Sequence, residues 1–107
     1  MLNPNGSGPR RKMLDGIDMT PLVWGPKTIL VRFDIQQGST LPSHHHPYEQ
    51  TGFLVSGRLR LTIGAETVDI AAGASWCIPS DVTHSALALA DCAAIELFTP
   101  LREDYLP

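Results

Sequence analysis

Residues 38–57, GSTLPSHHHPYEQTGFLVSG, contain three of the four histidines in the chain. Side chains two residues apart on an extended strand share a face, so His44 and His46 are predicted to point to one side and His45 to the other. Gln50 begins the next apolar stretch and can return to the side of His44 and His46. The pattern therefore predicts two strands that bring two imidazoles and one amide together.

A second stretch, residues 73–84, reads GASWCIPSDVTH and ends at the fourth histidine. Three imidazoles and an amide oxygen around one point make a site for a divalent transition metal, and such a ligand set does not choose between nickel, zinc, iron, manganese and cobalt. The spacing alone also fits surface histidines, so both interpretations stay open at this level. The candidate ligands are His44, His46, Gln50 and His84.

The remainder of the chain indicates an all-β protein. Apolar and polar residues alternate with a period of two over residues 29–35, and further short apolar runs are separated by Gly, Pro and Asp. We count seven or eight such strands and no amphipathic helix, a pattern typical of a sandwich or a small barrel. A strand surface that stays exposed and apolar in so small a domain favours a homodimer.

Length and composition limit the alternatives. The 107 residues suit one domain, which we divide into an N-terminal extension with room for a first strand (1–27) and a barrel domain with a C-terminal tail (28–107). Residues 1–12 are expected to be loose. The net charge of -3 and the absence of a basic patch argue against nucleic acid as a partner, and no apolar run is long enough to span a membrane. No apolar signal segment is visible, so a cytoplasmic location is expected.

Two cysteines do not suggest a disulfide framework. Cys77 lies in an apolar run beside Trp76 and is predicted to be buried.

The two histidine stretches resemble the paired signatures of the cupin superfamily. The first has a glycine, five residues, His-X-His, three residues, a Gln and six residues before the next glycine; the second runs from a glycine through a Pro-centred turn to a histidine. Asp81 stands where the family usually has glycine, and Asp tolerates the left-handed backbone of such a turn. Ala88 replaces a family asparagine. The resemblance implies a double-stranded β-helix (a jelly-roll barrel) that holds a metal and is often dimeric.

The C-terminal segment, ELFTPLREDYL (residues 96–106), adds three candidates. Glu96 and Phe98 share a face, and Arg102 follows the strand-breaking Pro100; by pattern alone they also suit surface and core packing. The segment resembles the tail of KdgF-type small cupins, in which an Asp, a Phe and an Arg take part in catalysis. This resemblance implies catalytic roles for Glu96 and Arg102 and substrate contacts for Phe98 and Arg102. Glu in place of Asp moves the carboxylate by one methylene.

The same resemblance implies a function in uronate metabolism, the conversion of cyclic 4,5-unsaturated uronates to linear keto acids. A neutral Gln50 leaves the full double charge on the metal, which suits a small anionic substrate. Two alternatives remain open: a metal-dependent dioxygenase or lyase on the same fold, and a non-enzymatic module that binds a sugar or another ligand.

Overall fold

The computed structural model describes residues 2–4 and 8–107. These residues form ten strands and one short 3-10 helix. The strands are β1 (Arg11–Leu14), β2 (Ile17–Trp24), β3 (Ile29–Ile35), β4 (Thr40–His44), β5 (Glu49–Ser56), β6 (Arg58–Ile63), β7 (Glu66–Ala71), β8 (Ser75–Ile78), β9 (His84–Ala88) and β10 (Cys92–Thr99), and the helix spans Glu103–Tyr105. No helix among the described residues is long and apolar enough to cross a membrane.

The strands form two antiparallel sheets whose inner faces pack together. One sheet has the order β1-β2-β3-β10-β5-β8 and the other the order β4-β9-β6-β7. Leu54 and Ala94 of the larger sheet share a buried cluster with Leu59 and Ala86 of the smaller sheet. Burial of these alternating apolar residues from both sheets is what holds the two layers together. The all-β double-stranded β-helix predicted above is confirmed.

The N-terminal segment 1–27 contributes two strands. β1 pairs with β2, and β2 pairs with β3 in the register Ile17↔Ile35 and Met19↔Phe33. Ile17 and Met19 are buried, so this segment extends the core of the larger sheet. The expectation that residues 1–12 are loose is wrong for Arg11 and Lys12, which belong to β1 and pair with β2. It also falls in part on residues 1 and 5–7, which lie outside the described residues.

The turn before β9 is tied to the loop after β4. Asp81 has a φ of 64°, the left-handed conformation expected from its place in the second motif. Its backbone N–H donates to the carbonyl of His46 at 2.8 Å, and the Ser80 hydroxyl donates to the carbonyl of Pro47 at 2.5 Å. These two bonds connect the loops that carry His46 and His84.

The prediction that Cys77 is buried is wrong, because Cys77 is exposed. Its neighbours Trp76 and Ile78 both line the interior, so the alternation of β8 directs Cys77 outward. Cys92 is buried, and both cysteines are free thiols.

Candidate metal centre

Three of the predicted ligands meet at one end of the smaller sheet. His44 ends β4 and His84 begins β9, and the two residues are direct partners in the antiparallel pairing. His46 follows in the loop between β4 and β5. One ring nitrogen from each of the three histidines lies within 4.8 Å of those of the other two. His45 is exposed, as the alternation predicts.

Backbone carbonyls set the tautomer of each imidazole. The Nδ1 atoms of His44, His46 and His84 lie 2.8, 3.0 and 2.9 Å from the carbonyl oxygens of Pro42, Tyr48 and Val82. A carbonyl oxygen only accepts hydrogen bonds, so Nδ1 carries the proton in each ring. Each Nε2 then keeps a lone pair, which is the form of histidine that binds a metal.

The unpaired nitrogens fit a divalent cation. The Nε2 of His84 is buried and has no hydrogen-bond partner among the described residues. The Nε2 of His46 faces the Oε1 of Gln50 at 2.9 Å, and two lone pairs at that distance repel each other unless a cation lies beside them. Burial lowers the pKa of both His46 and His84, and the positive charge of Arg102 adds to this effect, so both rings favour the neutral form.

Glu96 lies directly behind Gln50. The amide nitrogen of Gln50 donates to Oε2 of Glu96 at 2.5 Å, and the indole nitrogen of Trp76 donates to Oε1 at 3.2 Å. Glu96 is only 9% exposed, and this desolvation raises the pKa of its carboxyl to about 7, although the bonds from Trp76 and Gln50 and the charge of Arg102 oppose the rise. Glu96 is therefore a buried carboxyl that changes charge near neutral pH.

Arg102 is held by aromatic rings. The central carbon of its guanidinium lies 3.9 Å from the ring centre of Tyr105 and 5.1 Å from those of Tyr48 and Phe98. Its Nε donates to the carboxylate of Asp104 at 3.2 Å. Stacking of this kind orders the planar guanidinium while its charge remains available to an anion.

A cavity of about 300 Å³ adjoins these groups. Its polar lining comes from His44, Gln50, His84, Glu96 and Arg102. Most of the remaining wall is apolar and includes Leu41, Leu59, Leu61, Ala86, Ala94 and Ile35. Phe98, predicted to contact substrate, also lines the cavity although it is almost fully buried. This volume is at the small end of ligand sites and suits a compound of about one sugar ring.

All seven residues singled out in the sequence lie at this site, but the sequence did not point to Trp76, Gly52 or the tyrosines that surround Arg102. Period-two alternation along β8 would have placed Trp76 on the inner face with Ile78. The contact between Trp76 and Glu96 joins residues 20 positions apart on strands that are not neighbours, and no local pattern encodes it.

The fold and the histidine cluster define a cupin. The family model described as a cupin domain matches residues 31–98, so the chain belongs to the cupin family. Among solved structures it is similar to KdgF from Halomonas sp., with 26% identity, a TM-score of 0.87, and 92% of each chain covered.

Two further proteins are similar to this chain. An RmlC-like cupin from Shewanella frigidimarina superposes with a TM-score of 0.89 at 21% identity, over 99% of this chain and 94% of that chain, and shares the fold. An uncharacterised protein of Streptomyces coelicolor, SCO3923, is 33% identical over 52 residues, which are 49% of this chain and 50% of the relative. The match thus spans about half the length of that curated relative.

Proposed function

We propose that this chain is a metal-dependent enzyme that opens and tautomerises 4,5-unsaturated uronates to linear keto acids. The observation that carries the proposal is the convergence of one ring nitrogen from each of three histidines beside a cavity that also contains a buried carboxyl and a stacked guanidinium. His44, His46, His84 and Gln50 would hold the cation. When bound, the cation supplies a Lewis acid for the oxygens of the substrate.

Arg102 binds the substrate carboxylate. A guanidinium offers two parallel N–H donors to a carboxylate, and among the described residues only its Nε is engaged in a hydrogen bond to protein. Tyr105 and Phe98 pack against the guanidinium and keep water from this side of the cavity. The aromatic rings therefore fix the orientation in which the uronate enters.

Glu96 moves the proton. Ring opening removes the proton of the anomeric hydroxyl and breaks the bond between C1 and the ring oxygen, which leaves an aldehyde at C1 and an enol at C5. The C5 oxygen takes up the proton when the ring opens; the enol then gains a proton at C4 and loses its hydroxyl proton to become the ketone, so the reaction is an isomerisation with no co-reactant. Glu96 lines the cavity and is the buried carboxyl group available for these transfers.

Metal binding is tested by elemental analysis of the purified protein and by chelator competition. His84→Ala is expected to lose binding, because it removes the nitrogen that has no protein partner. His45→Ala is the matched control, since His45 is exposed and adjacent to two of the ligands. Equal binding by the two variants would contradict the assignment of the ligands.

Turnover is tested by the ultraviolet absorbance of the conjugated C4–C5 double bond. Unsaturated monomers derived from galacturonate and guluronate are incubated with protein loaded with each of the five candidate metals. We expect the absorbance to fall with wild type and His45→Ala and to persist with His84→Ala. Persistent absorbance with every metal and both substrates would remove the uronate assignment.

The apolar part of the cavity favours a second candidate. A uronate carries several hydroxyl groups, whereas Leu41, Leu59 and Leu61 offer them no hydrogen-bond partner. A metal-dependent dioxygenase or lyase acting on a less hydroxylated carboxylate would suit this wall. Oxygen consumption by the iron-loaded protein, without loss of uronate absorbance, would support the dioxygenase. Ligand binding without turnover would instead support the non-enzymatic module.

We also propose that two copies associate through the outer face of β5. Phe53 and Val55 lie on this face and are 47% and 45% exposed, and Phe53 pairs across the strands with Ile95. A two-fold contact would cover the same apolar patch on both copies. Light scattering should show a dimer that Phe53→Glu dissociates and Val68→Glu, on the smaller sheet, leaves intact. A monomeric wild-type protein would contradict this proposal.

A further inference from the structure

Gly52, Trp76 and Glu96 lie side by side across three strands. Gly52 of β5 is the partner of Glu96 on β10 and of Trp76 on β8. All three positions face the interior, and the indole of Trp76 crosses over Gly52 to reach the Glu96 carboxylate. At position 52 of β5, between Trp76 and Glu96, there is therefore no side chain.

The missing side chain at position 52 is what makes room for the indole. A Cβ built on Gly52 would lie 2.2 Å from Cε2 of Trp76 and 2.4 Å from both Cζ2 and Nε1. Distances this short cannot be accommodated unless the ring moves. Position 52 needs glycine because any side chain would occupy the space of the indole, and the Trp76 ring packs directly against the backbone of β5.

Both oxygens of Glu96 accept a hydrogen bond from a different donor. Trp76 holds Oε1, and the carboxylate is thereby presented so that Oε2 meets the amide nitrogen of Gln50. As a carboxylate, Glu96 accepts hydrogen bonds and does not donate them, so with Glu96 ionised Gln50 turns its NH2 group toward Glu96 and its Oε1 toward His46. An amide in the reverse orientation would offer N–H groups, which do not bind a cation.

We propose that Trp76, whose indole packs over Gly52, is a positioning residue that holds the Glu96 carboxylate against Gln50. The Gln50 amide is thereby oriented so that its oxygen is the ligand atom. This inference deepens the proposed function, because it concerns the ligand set of the same metal site. It assigns Trp76 no contact with the metal. Its action passes through Glu96 and Gln50, which is how outer hydrogen-bond partners tune metal ligands.

The test measures cobalt binding by Trp76→Phe. Phenylalanine retains an aromatic ring and removes the N–H group. We expect the affinity for Co²⁺ in chelator competition to fall about tenfold, near the low end of the effect of outer-shell changes, and the visible spectrum of the bound cobalt to change. Trp24→Phe is the matched control, because it makes the same replacement at the end of β2, where the side chain is 36% exposed.

Gly52→Ala tests whether the packing of the indole against Gly52 positions Trp76. The added methyl group displaces the ring, so cobalt affinity should fall as it does in Trp76→Phe. The double variant should lose less than the product of the two single effects, since both changes remove the same hydrogen bond. If the loss of cobalt affinity in the double variant equals the product of the two single losses, the proposed role of Gly52 in positioning Trp76 is overturned.

The outcomes separate this inference from the proposed function. If wild type binds cobalt and Trp76→Phe binds it with the same affinity and spectrum, the inference is overturned and the metal site stands. If wild type binds no cobalt, both fall. If Trp76→Phe does not fold, the indole N–H resonances of the wild-type chain provide the test. Glu96→Gln should then shift the signal of Trp76 and not that of Trp24, and an unmoved Trp76 signal overturns the inference.

Discussion

Replacement of Glu96 by glutamine should change how stability depends on pH. The pKa of the Glu96 carboxyl is raised from 4.5 to about 7 by burial. Because the folded pKa exceeds the unfolded one, its contribution is fully present below pH 4.5 and is lost as the pH rises to 7. One pKa unit corresponds to about 1.4 kcal/mol, so this carboxyl lowers the free energy of unfolding by about 3 kcal/mol between pH 4.5 and pH 8. Glu96→Gln removes this loss.

The assay compares urea unfolding of the two proteins at pH 4.5 and pH 8 in the presence of a chelator. Titration of His46 and His84 is common to both proteins and largely cancels in their difference. Glutamine also disturbs the bonds to Trp76 and Gln50, at a cost of about 1–3 kcal/mol that does not depend on pH. The change in the difference between the two pH values is therefore the quantity to measure. Parallel pH profiles for the two proteins would refute the burial argument.

Three further predictions concern the metal, the guanidinium and one turn. Zinc at one hundred times its dissociation constant should raise the free energy of unfolding of wild type by about 2.7 kcal/mol in thermal or urea unfolding. The free energy of unfolding of His84→Ala should not change. Equal gains in the two proteins would exclude His84 as a ligand. Arg102→Lys should raise the KM of a carboxylate substrate about tenfold with a smaller change in kcat in steady-state assays, because an ammonium does not stack or bind bidentately; an unchanged KM would count against the carboxylate clamp. Gly57→Ala should lower the free energy of unfolding in urea by about 2 kcal/mol more than Gly73→Ala does. Both glycines have positive φ, but only a Cβ at 57 would meet a backbone oxygen, that of Asp91 at 2.2 Å. Equal losses of stability would show that this close approach is unimportant.

The histidine motif could be read from the sequence because its geometry is local. The two-residue repeat of a strand is enough to put His44 and His46 on one side and His45 on the other. The left-handed turn at Asp81 is likewise a property of a few consecutive residues, and the structure has it at a φ of 64°. The same alternation, with glycine and proline marking the turns, located the strands from residue 28 onward. The count of seven or eight was too low, because residues 1–27 add two strands, β1 and β2, and the order of the strands in the sheets was not predicted.

The groups around the ligands were decided by contacts between distant parts of the chain. Alternation makes Glu96 face inward, but only the packing of β8, β5 and β10 brings the indole of Trp76 over Gly52 to the carboxylate. Stacking of Arg102 on Tyr48 and Tyr105 depends on where the C-terminal helix packs against the barrel. Local repeats determine the direction in which a side chain points, whereas its partner and its solvation arise when the two sheets close around the cavity.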